Sequence, residues 1–587
     1  MRGPACPPPR HRTVNAALEA AAAGDAAMTF VDLAERETVL PFSEIHARAR
    51  RAAAALAARG VAAGDRVAIV LPTSPAFLDA YFGTLLAGAV PVPLYPPLRL
   101  GRLPEYHVAT AAMMTAVGAR LVVADSRTRA LLGRTVELAR PPLGCVRADQ
   151  LGDGDPSELR TEARPDDLAL IQFSSGSTAD PKPVALSHAN VMAQLAALAA
   201  LLPPEEDTPQ MGVSWLPLYH DMGLIGCLLV AVYVPGPLVL IPPENFLARP
   251  SLWLRAIARH RATVSVAPNF GYEVAAKRVK DEELAGCDLS SWRLALCGAE
   301  PVSLAALERF ARRFAPVGFD RRGLRPVYGL AEAALAVTFT PPDRGPTALG
   351  VDPIRLAAAG EAVAGPRSIV SVGTPVPGAE VQVRGADGRE LPERRVGGIF
   401  VRGGFVMTGY FGLPGATASV LANGFLDTGD LGFVAGGELY VCARAKDLIV
   451  IRGANHAPQE FEECLAGIAG VRAGCAVALG FVPDGEDGEH LLVLAERARN
   501  AARDNGTAER IRRAVLEHTG IRPHTVRLLE PGTLPRTSSG KMRRSEALRR
   551  FLAGELTPPR AVGPVRLAAE AARSALAFAR ARLGRGR

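Results

Sequence analysis

Residues 170–191, LIQFSSGSTADPKPVALSHANV, join an apolar segment to a helix-like segment through a polar turn. An apolar run over 168–173 predicts a strand, and the spacing over 187–202 predicts a helix. The turn between them contains Ser174, Ser175, Gly176, Ser177 and Thr178, and Lys182 follows it. Backbone N–H groups and hydroxyls in such a turn bind phosphate oxygens, and a lysine adds a mobile positive charge. The same letters, taken alone, also fit an ordinary Ser/Gly-rich loop.

This turn resembles the phosphate loop of the adenylate-forming enzymes, which include acyl-CoA synthetases, peptide-synthetase adenylation domains and fatty acyl-AMP ligases. Ala179 and Pro183 stand where that superfamily normally has glycine. Because glycine reaches positive φ more easily than other residues, both changes predict a less flexible loop. The chain contains no Walker A motif here, and Gly540-Lys541 is followed by Met542 rather than by Ser or Thr.

Composition limits the class of protein. A chain of 587 residues should divide into domains, and 48% hydrophobic with 21% charged residues is typical of a globular protein. The net charge of +8 comes from scattered arginines without interleaved aromatics, which disfavours a nucleic-acid partner. Eight cysteines without CxxC or metal-ligand spacing predict buried free thiols and a cytoplasmic location. The uncharged run 222–243 is interrupted by a Pro-Gly-Pro sequence, so we predict no transmembrane span.

The order of strand-like and helix-like segments predicts the fold class. From residue 67 the two alternate, which indicates an α/β domain with doubly wound βα layers and a mostly parallel sheet. Short strand-like runs from residue 373 predict a small β-rich subdomain. We expect a large adenylate-forming domain over 1–445, a small mobile α+β lid domain over 446–555, and a basic amphipathic tail over 556–587. The tail is expected to dock or to form a solvated helix, with a weak membrane anchor as the alternative.

Three further motifs of the large domain resemble the same superfamily. Residues 215–226, WLPLYHDMGLIG, are similar to a motif of fatty acyl-AMP ligases, which implies that His220 lies beside the acyl carboxylate and the α-phosphate. Gly298, Ala299 and Glu300 resemble the adenine-side turn. A buried structural histidine and a plain βα turn are the corresponding alternatives.

The third motif, VYGLAEA over 327–333, resembles the next superfamily motif. It implies that Tyr328, followed by Gly329, stacks on adenine and that Glu332 helps to hold Mg²⁺. A hard cation of this kind prefers a carboxylate together with phosphate oxygens. A glutamate that is merely solvated or caps a helix is the alternative.

Motifs around the expected domain boundary complete the resemblance. Asp430 in NGFLDTGD resembles the ribose-binding carboxylate, and Arg444 resembles a ribose- or phosphate-contacting arginine. Lys446 falls at the superfamily's hinge between domains. Lys541, in LPRTSSGKMRR over 534–544, matches the catalytic lysine of the last motif. A solvated basic turn is the alternative for this last segment.

Residues 341–370 form a long connection, and fatty acyl-AMP ligases carry an extra segment in this region that disfavours the CoA-using pose. The alternative is a disordered surface loop. The resemblance as a whole implies a fatty acyl-AMP ligase that uses ATP and Mg²⁺ to activate a medium- or long-chain fatty acid. Its implied acceptor is an acyl carrier protein or the carrier domain of a polyketide or peptide synthase. The other readings are an acyl-CoA synthetase that uses free CoA and a catalytically weak homologue that acts as a binding protein.

Overall fold

The structure is a computed structural model that describes residues 1–158, 162–174, 181–202, 210–342, 344–465, 467–483, 485–486, 488–498, 506–537, 540–560 and 562–583. Four of the predicted phosphate-binding residues, Ser175, Gly176, Ser177 and Thr178, lie outside these ranges. Ala179 also lies outside them.

The strands are numbered in chain order. Those before residue 300 are β1 (Ala27–Val31), β2 (Glu37–Pro41), β3 (Arg66–Val70), β4 (Val90–Pro93), β5 (Leu121–Ala124), β6 (Gly144–Arg147), β7 (Leu168–Phe173), β8 (Pro183–Ser187), β9 (Gly212–Ser214), β10 (Leu238–Leu240), β11 (Val264–Ala267) and β12 (Leu294–Cys297). Those that follow are β13 (Leu324–Gly329), β14 (Ala336–Phe339), β15 (Ala348–Val351), β16 (Arg367–Val370), β17 (Thr374–Pro375), β18 (Glu380–Arg384), β19 (Gly397–Arg402), β20 (Gly409–Tyr410), β21 (Leu421–Ala422), β22 (Phe425–Ala435), β23 (Glu438–Arg444), β24 (Ile449–Ile451), β25 (Ala454–His456), β26 (Val471–Phe481), β27 (His490–Arg497) and β28 (Thr525–Leu529).

The α-helices are numbered in the same way. They are α1 (Val14–Ala22), α2 (Phe42–Ala58), α3 (Pro75–Leu86), α4 (Leu103–Ala116), α5 (Ser126–Ala139), α6 (His188–Ala199), α7 (Asp221–Gly223), α8 (Val230–Tyr233), α9 (Pro243–Ala248), α10 (Ser251–His260), α11 (Asn269–Arg278), α12 (Leu304–Phe314), α13 (Pro353–Ala359), α14 (Pro414–Ala418), α15 (Pro458–Glu462), α16 (Thr507–Thr519), α17 (Arg544–Leu552) and α18 (Pro564–Leu583). None of these helices combines the length and the apolar character that crossing a bilayer requires, among the residues described.

Two sheets form the α/β part of the large domain. One follows the order β17-β14-β13-β12-β11-β9-β10-β1-β2, and every pair from β13 to β1 is parallel. The other, β4-β3-β5-β6, is parallel throughout. Their inner strands are largely buried, as expected where helices cover both faces of a sheet, whereas the edge strand β2 is mostly exposed. The predicted fold class is confirmed.

The segment around the phosphate loop differs from the prediction. The expected strand is β7, but a second strand, β8, follows the loop and pairs with β7 in antiparallel orientation before α6 begins. The helix predicted over 187–202 is therefore shorter, and it begins at His188 with Ser187 as its N-cap. The loop joins two strands of the sheet β20-β8-β7, so both of its ends are held by ladder hydrogen bonds.

The rest of the chain forms smaller layers. β18, β19, β21, β22 and β23 form the β-rich sheet that the sequence predicts after residue 373. From Ile449 onward, β24–β28 with α15, α16 and α17 build separate hydrophobic clusters around residues such as Phe461, Val493 and Leu494. The eight cysteines are free, as predicted; Cys227, Cys297 and Cys475 are buried, and the other five are half-buried rather than buried.

The long connection after residue 341 is structured. Within its described part, β15 and β16 form an antiparallel hairpin that carries α13. The Arg367 guanidinium approaches the Glu460 carboxylate at 3.5 Å, and both side chains are nearly buried. The alternative of a disordered surface loop is therefore wrong for residues 344–370, and this hairpin contacts the small domain.

Candidate active site

The ends of the phosphate loop are fixed by two backbone contacts. The Ser174 N–H donates to the Lys182 carbonyl at 2.9 Å, and the Lys182 N–H donates to Ser174 Oγ at 3.2 Å. Pro183 is the first residue of β8, a position where a strand tolerates a residue without an N–H. Its carbonyl still accepts a hydrogen bond from the Phe411 N–H at 2.8 Å. Pro183 is thus accommodated at the loop's exit without loss of strand pairing.

The carboxyl ends of β9, β12 and β13 lie at one edge of the large sheet because these strands run in the same direction. In α/β sheets this edge is the usual place for ligands. Gly298 and Ala299 leave β12 here, and Ala299 has a φ of +69°. A Cβ at Gly298 would lie 2.9 Å from the Val327 carbonyl oxygen, so glycine permits the close approach of β12 and β13. Glu300 Oε1 accepts a hydrogen bond from the Phe270 N–H at 2.8 Å.

Three predicted nucleotide-binding residues meet where β13 approaches the β-rich sheet. The Tyr328 hydroxyl donates to Asp430 Oδ2 at 2.7 Å, and Arg444 Nε lies 3.2 Å from Asp430 Oδ1. Asp430 and Arg444 are direct partners in the β22–β23 ladder, which explains how the sequence brings them together. Burial raises the pKa of Asp430, and the Arg444 charge opposes that rise. Gly329 follows Tyr328, and a Cβ there would lie 1.7 Å from the Leu335 carbonyl oxygen.

Glu332, the predicted metal ligand, has a partner that the sequence analysis missed. The Tyr410 hydroxyl donates to Glu332 Oε1 at 3.0 Å. The Lys182 ammonium lies 4.6 Å from the centre of the Tyr410 ring, within the range of a cation–π contact. Tyr410 belongs to β20, which pairs with β8 beside the phosphate loop. Burial raises the pKa of Glu332, so a cation at this carboxylate would favour its ionised form.

Lys541 reaches this edge from the small domain. Burial lowers the pKa of its ammonium, and the charges of Asp221, Glu300 and Asp430 oppose that shift. The turn that carries it is closed by hydrogen bonds between Thr537 and Lys541, at 2.8 and 3.0 Å. Asp221, which follows His220 in the same motif, is thus a second charged residue of the site. It was not among the site residues predicted from the sequence.

His220 precedes α7 and lies among the same groups. Burial lowers its pKa to about 4, Asp221 opposes that shift, and the charge of Lys541 adds to it. At neutral pH the imidazole is therefore uncharged, and it can donate or accept a hydrogen bond without adding positive charge.

The protonation of His220 yields a testable prediction. Because the pKa lies far below the ordinary value of about 6.5, the His220 signal should not titrate between pH 8 and 5.5 in NMR spectra of histidine-labelled protein. The His220→Asn variant assigns the signal. A midpoint near pH 6.5 for His220 would contradict the described burial.

Lys446, the predicted hinge residue, lies in a 3₁₀ turn, Ala445–Asp447, between β23 and β24. Its side chain is exposed, and it directly precedes the strands of the small domain. A single arrangement of the two domains is described, so the hinge stays a prediction.

Comparison with known proteins decides the family. A family model described as AMP-binding enzyme matches residues 18–411, which include the described groups of the site up to Tyr410. The chain belongs to the AMP-binding enzyme family. A Caulobacter vibrioides member, provisionally named an acyl-CoA synthetase, is 36% identical over 557 residues and covers 92% of this chain and 96% of its own.

Two further similarities concern ligases of fatty acids. A Moorena producens family member named medium-chain-fatty-acid–[acyl-carrier-protein] ligase JamA is 33% identical and covers 90% of this chain and 93% of its own. A solved structure from a study of fatty acyl-adenylate ligases of E. coli and L. pneumophila is 34% identical, with a TM-score of 0.87, over 93% of this chain and 99% of that one. The chain is therefore an enzyme of the fatty acyl-AMP ligase type, as its motifs predict.

Proposed function

We propose that this enzyme converts a medium- or long-chain fatty acid and ATP into an acyl-adenylate and pyrophosphate, and then transfers the acyl group to the phosphopantetheine thiol of an acyl carrier protein. The observation that carries the proposal is the position of Lys541. A lysine from the small domain lies near enough to Asp221 and Glu300 at the ligand edge of the large sheet, and to Asp430 of β22, for these charges to oppose the lowering of its pKa by burial. The reaction would take place in the cytoplasm.

Adenylation brings one anion to another. A carboxylate oxygen of the acid attacks the α-phosphorus of ATP, and the bond between that phosphorus and the oxygen bridging to the β-phosphate breaks. Pyrophosphate leaves with the bonding electron pair, and its charge must be stabilised. Fixed positive groups aimed at developing charge commonly supply the largest part of such catalysis. We assign this role to Lys541 and Lys182 and to the N–H and hydroxyl donors of residues 174–178.

The remaining site residues bind and orient the substrates. Asp430 would accept hydrogen bonds from the ribose hydroxyls, while Arg444, paired with it at 3.2 Å, limits its freedom to turn. Tyr328 and the turn Gly298–Glu300 would flank adenine, with Gly329 behind the tyrosine. His220, uncharged at neutral pH because burial lowers its pKa to about 4, would orient the acyl carboxylate by a hydrogen bond.

The donor set also fits Mg²⁺. A single half-buried carboxylate, held by a phenol, suits a cation that takes its other ligands from phosphate oxygens and water. Glu332 would hold the ion, which supplies charge neutralisation on the phosphates when bound. Tyr410 would keep the Glu332 carboxylate oriented through its 3.0 Å hydrogen bond.

The second half-reaction needs the acyl carbonyl to become accessible. The acceptor thiol attacks that carbonyl, AMP departs as the leaving group, and the thiol loses its proton. Lys541 would withdraw with the small domain, and Lys446 would serve as the hinge of this movement. The hairpin of β15 and β16 lies in the region where fatty acyl-AMP ligases carry an extra segment that disfavours the CoA-using pose, and it contacts the small domain through Arg367 and Glu460. This position supports a carrier protein rather than free CoA as the acceptor.

Mass spectrometry of the products decides between the acceptors. The enzyme is incubated with ATP, Mg²⁺, fatty acids of graded length, and either free CoA or a phosphopantetheinylated acyl carrier protein. Acylated carrier without acyl-CoA is expected. Abundant acyl-CoA would instead support the CoA synthetase alternative. Absence of acyl-adenylate with every acid would support the binding-protein alternative.

A further inference from the structure

The contact between Arg102 and the small domain has no role in the chemistry derived above. Arg102 ends a 3₁₀ turn before α4 in the large domain. Its Nη2 group donates to the carbonyls of Gly532, Thr533 and Thr557 at 3.2, 3.3 and 2.8 Å. Its side chain is only 13% exposed. Gly532 and Thr533 lie just before the turn that carries Lys541. The Arg102 guanidinium therefore binds the backbone that leads into that turn.

Charged side chains continue this contact. Glu105, one turn further along α4, accepts from Arg102 Nη1 at 2.6 Å and from Arg550 Nη2 at 2.8 Å. Arg550 belongs to α17, and Glu546 of the same helix accepts from its Nε at 2.6 Å. Arg550 is 12% exposed and Glu105 is 47% exposed, so the pair lies at the rim of the contact between the two domains. We call Arg102, Glu105 and Arg550 the interdomain latch.

The C-terminal tail forms a second connection between the small domain and the large domain. Helix α18 packs along α5, and the Ser574 hydroxyl accepts from the Gly133 N–H at 2.7 Å. Phe578 lies under the Arg129 guanidinium, 4.3 Å from the ring centre. A Cβ at Gly133 would lie 2.4 Å from the Ser574 Cα, so only glycine permits this approach. The chain thus leaves the small domain after α17 and returns to the large domain.

We propose that Arg102 is a positioning residue for adenylation, and that the latch and the docked tail together hold the small domain where Lys541 reaches the acyl-adenylate site. This inference rests on the proposed function. Withdrawal of Lys541 would break the hydrogen bonds from Arg102 to Gly532 and Thr533 and also the Glu105–Arg550 pair. The connection between α17 and α18 has eleven residues, 553–563, and could extend to roughly 40 Å. The tail can therefore stay docked while the latch opens, and it keeps the small domain nearby.

The test separates the two half-reactions. In Arg102→Ala, acyl-adenylate formation, trapped as hydroxamate, should fall on the order of tenfold because several hydrogen bonds to a charged group are lost. Transfer from synthetic acyl-adenylate to a phosphopantetheinylated carrier protein should stay equal or rise. Arg102→Lys should lie between, since lysine keeps the charge for Glu105 but lacks the planar fork.

Two further variants keep the proposal falsifiable. Gly133→Ala should displace α18 without touching the latch, and it should lower adenylation in the same direction but less. The matched control is Arg48→Ala, which removes a bidentate pair with Asp79 inside the large domain. This control should leave the ratio of the two half-reactions unchanged. Equal losses in both half-reactions of Arg102→Ala would overturn the proposal.

Hydrogen exchange measured by mass spectrometry supplies a readout that needs no substrate. Arg102→Ala should accelerate exchange in peptides covering 98–105 and 530–537, whereas Arg48→Ala should not. If the wild type forms no acyl-adenylate but hydrogen exchange is faster in Arg102→Ala, the proposed function is wrong and the interdomain latch is supported. If exchange is unchanged in an active enzyme, the latch is refuted and the proposed function is unaffected.

Discussion

Lys541→Ala is expected to lower acyl-adenylate formation by on the order of 10²-fold or more, comparable to the loss of one donor that stabilises developing negative charge. The ammonium interacts with Asp221, Glu300 and Asp430, so it occupies the part of the site where carboxylate and phosphate charges must be neutralised. Acid-dependent hydroxamate formation measures the effect. Transfer from synthetic acyl-adenylate should be unchanged, because Lys541 would be withdrawn in that step.

Two controls separate catalysis from folding. Lys277→Ala removes an exposed lysine paired with Glu273 on α11, and it should leave both half-reactions unchanged. The thermal midpoint of Lys541→Ala, measured beside that of the wild type, shows whether the variant is folded. Equal losses of adenylation and transfer would contradict the assigned role.

Glu332→Gln is expected to reduce adenylation by on the order of 10²-fold at low Mg²⁺, because the proposed ion loses its protein carboxylate and the phosphate charge is less well neutralised. The titration of rate against Mg²⁺ concentration should shift to higher concentrations. Glutamine keeps the size of the side chain and can still accept from Tyr410, so the described hydrogen bond is preserved.

Tyr410→Phe tests the metal-binding role of Glu332 by changing the residue that forms a hydrogen bond with its carboxylate. It removes the hydroxyl that donates to Glu332 Oε1 and should weaken the apparent Mg²⁺ affinity by about tenfold, the lower range for a group that orients a metal ligand. An unaltered Mg²⁺ titration in Glu332→Gln would contradict the metal assignment. A large loss in Tyr410→Phe with no loss in Glu332→Gln would point to a direct substrate contact of Tyr410 instead.

The site residues that could be predicted from the sequence are those that lie within contiguous motifs. Lys541, Asp430 and His220 lie in segments whose letters resemble a superfamily, so their identity did not depend on packing. Strand β7 was predicted with the observed bounds because it is an unbroken apolar run ended by a polar turn. Strand β8 was missed because it is short and begins with Pro183.

Contacts between distant segments could not be predicted. Tyr410 meets Glu332 and Lys182 only because β20 pairs with β8, and no spacing in the sequence indicates that pairing. Arg102 is one of many scattered arginines, and its significance lies in three carbonyls from the small domain and the tail. Helical spacing in the tail predicted helix α18. It did not predict that α18 would pack against α5 at Gly133.

The most direct test of the central claim is acid-dependent exchange of labelled pyrophosphate into ATP, measured for the wild type and for Lys541→Ala across fatty acids of graded length. The account predicts exchange in the wild type with a medium- or long-chain acid and a loss on the order of 10²-fold in the variant. Exchange that is equal in both proteins would contradict the assignment of Lys541. Absence of exchange in the folded wild type with every acid would contradict the proposed reaction.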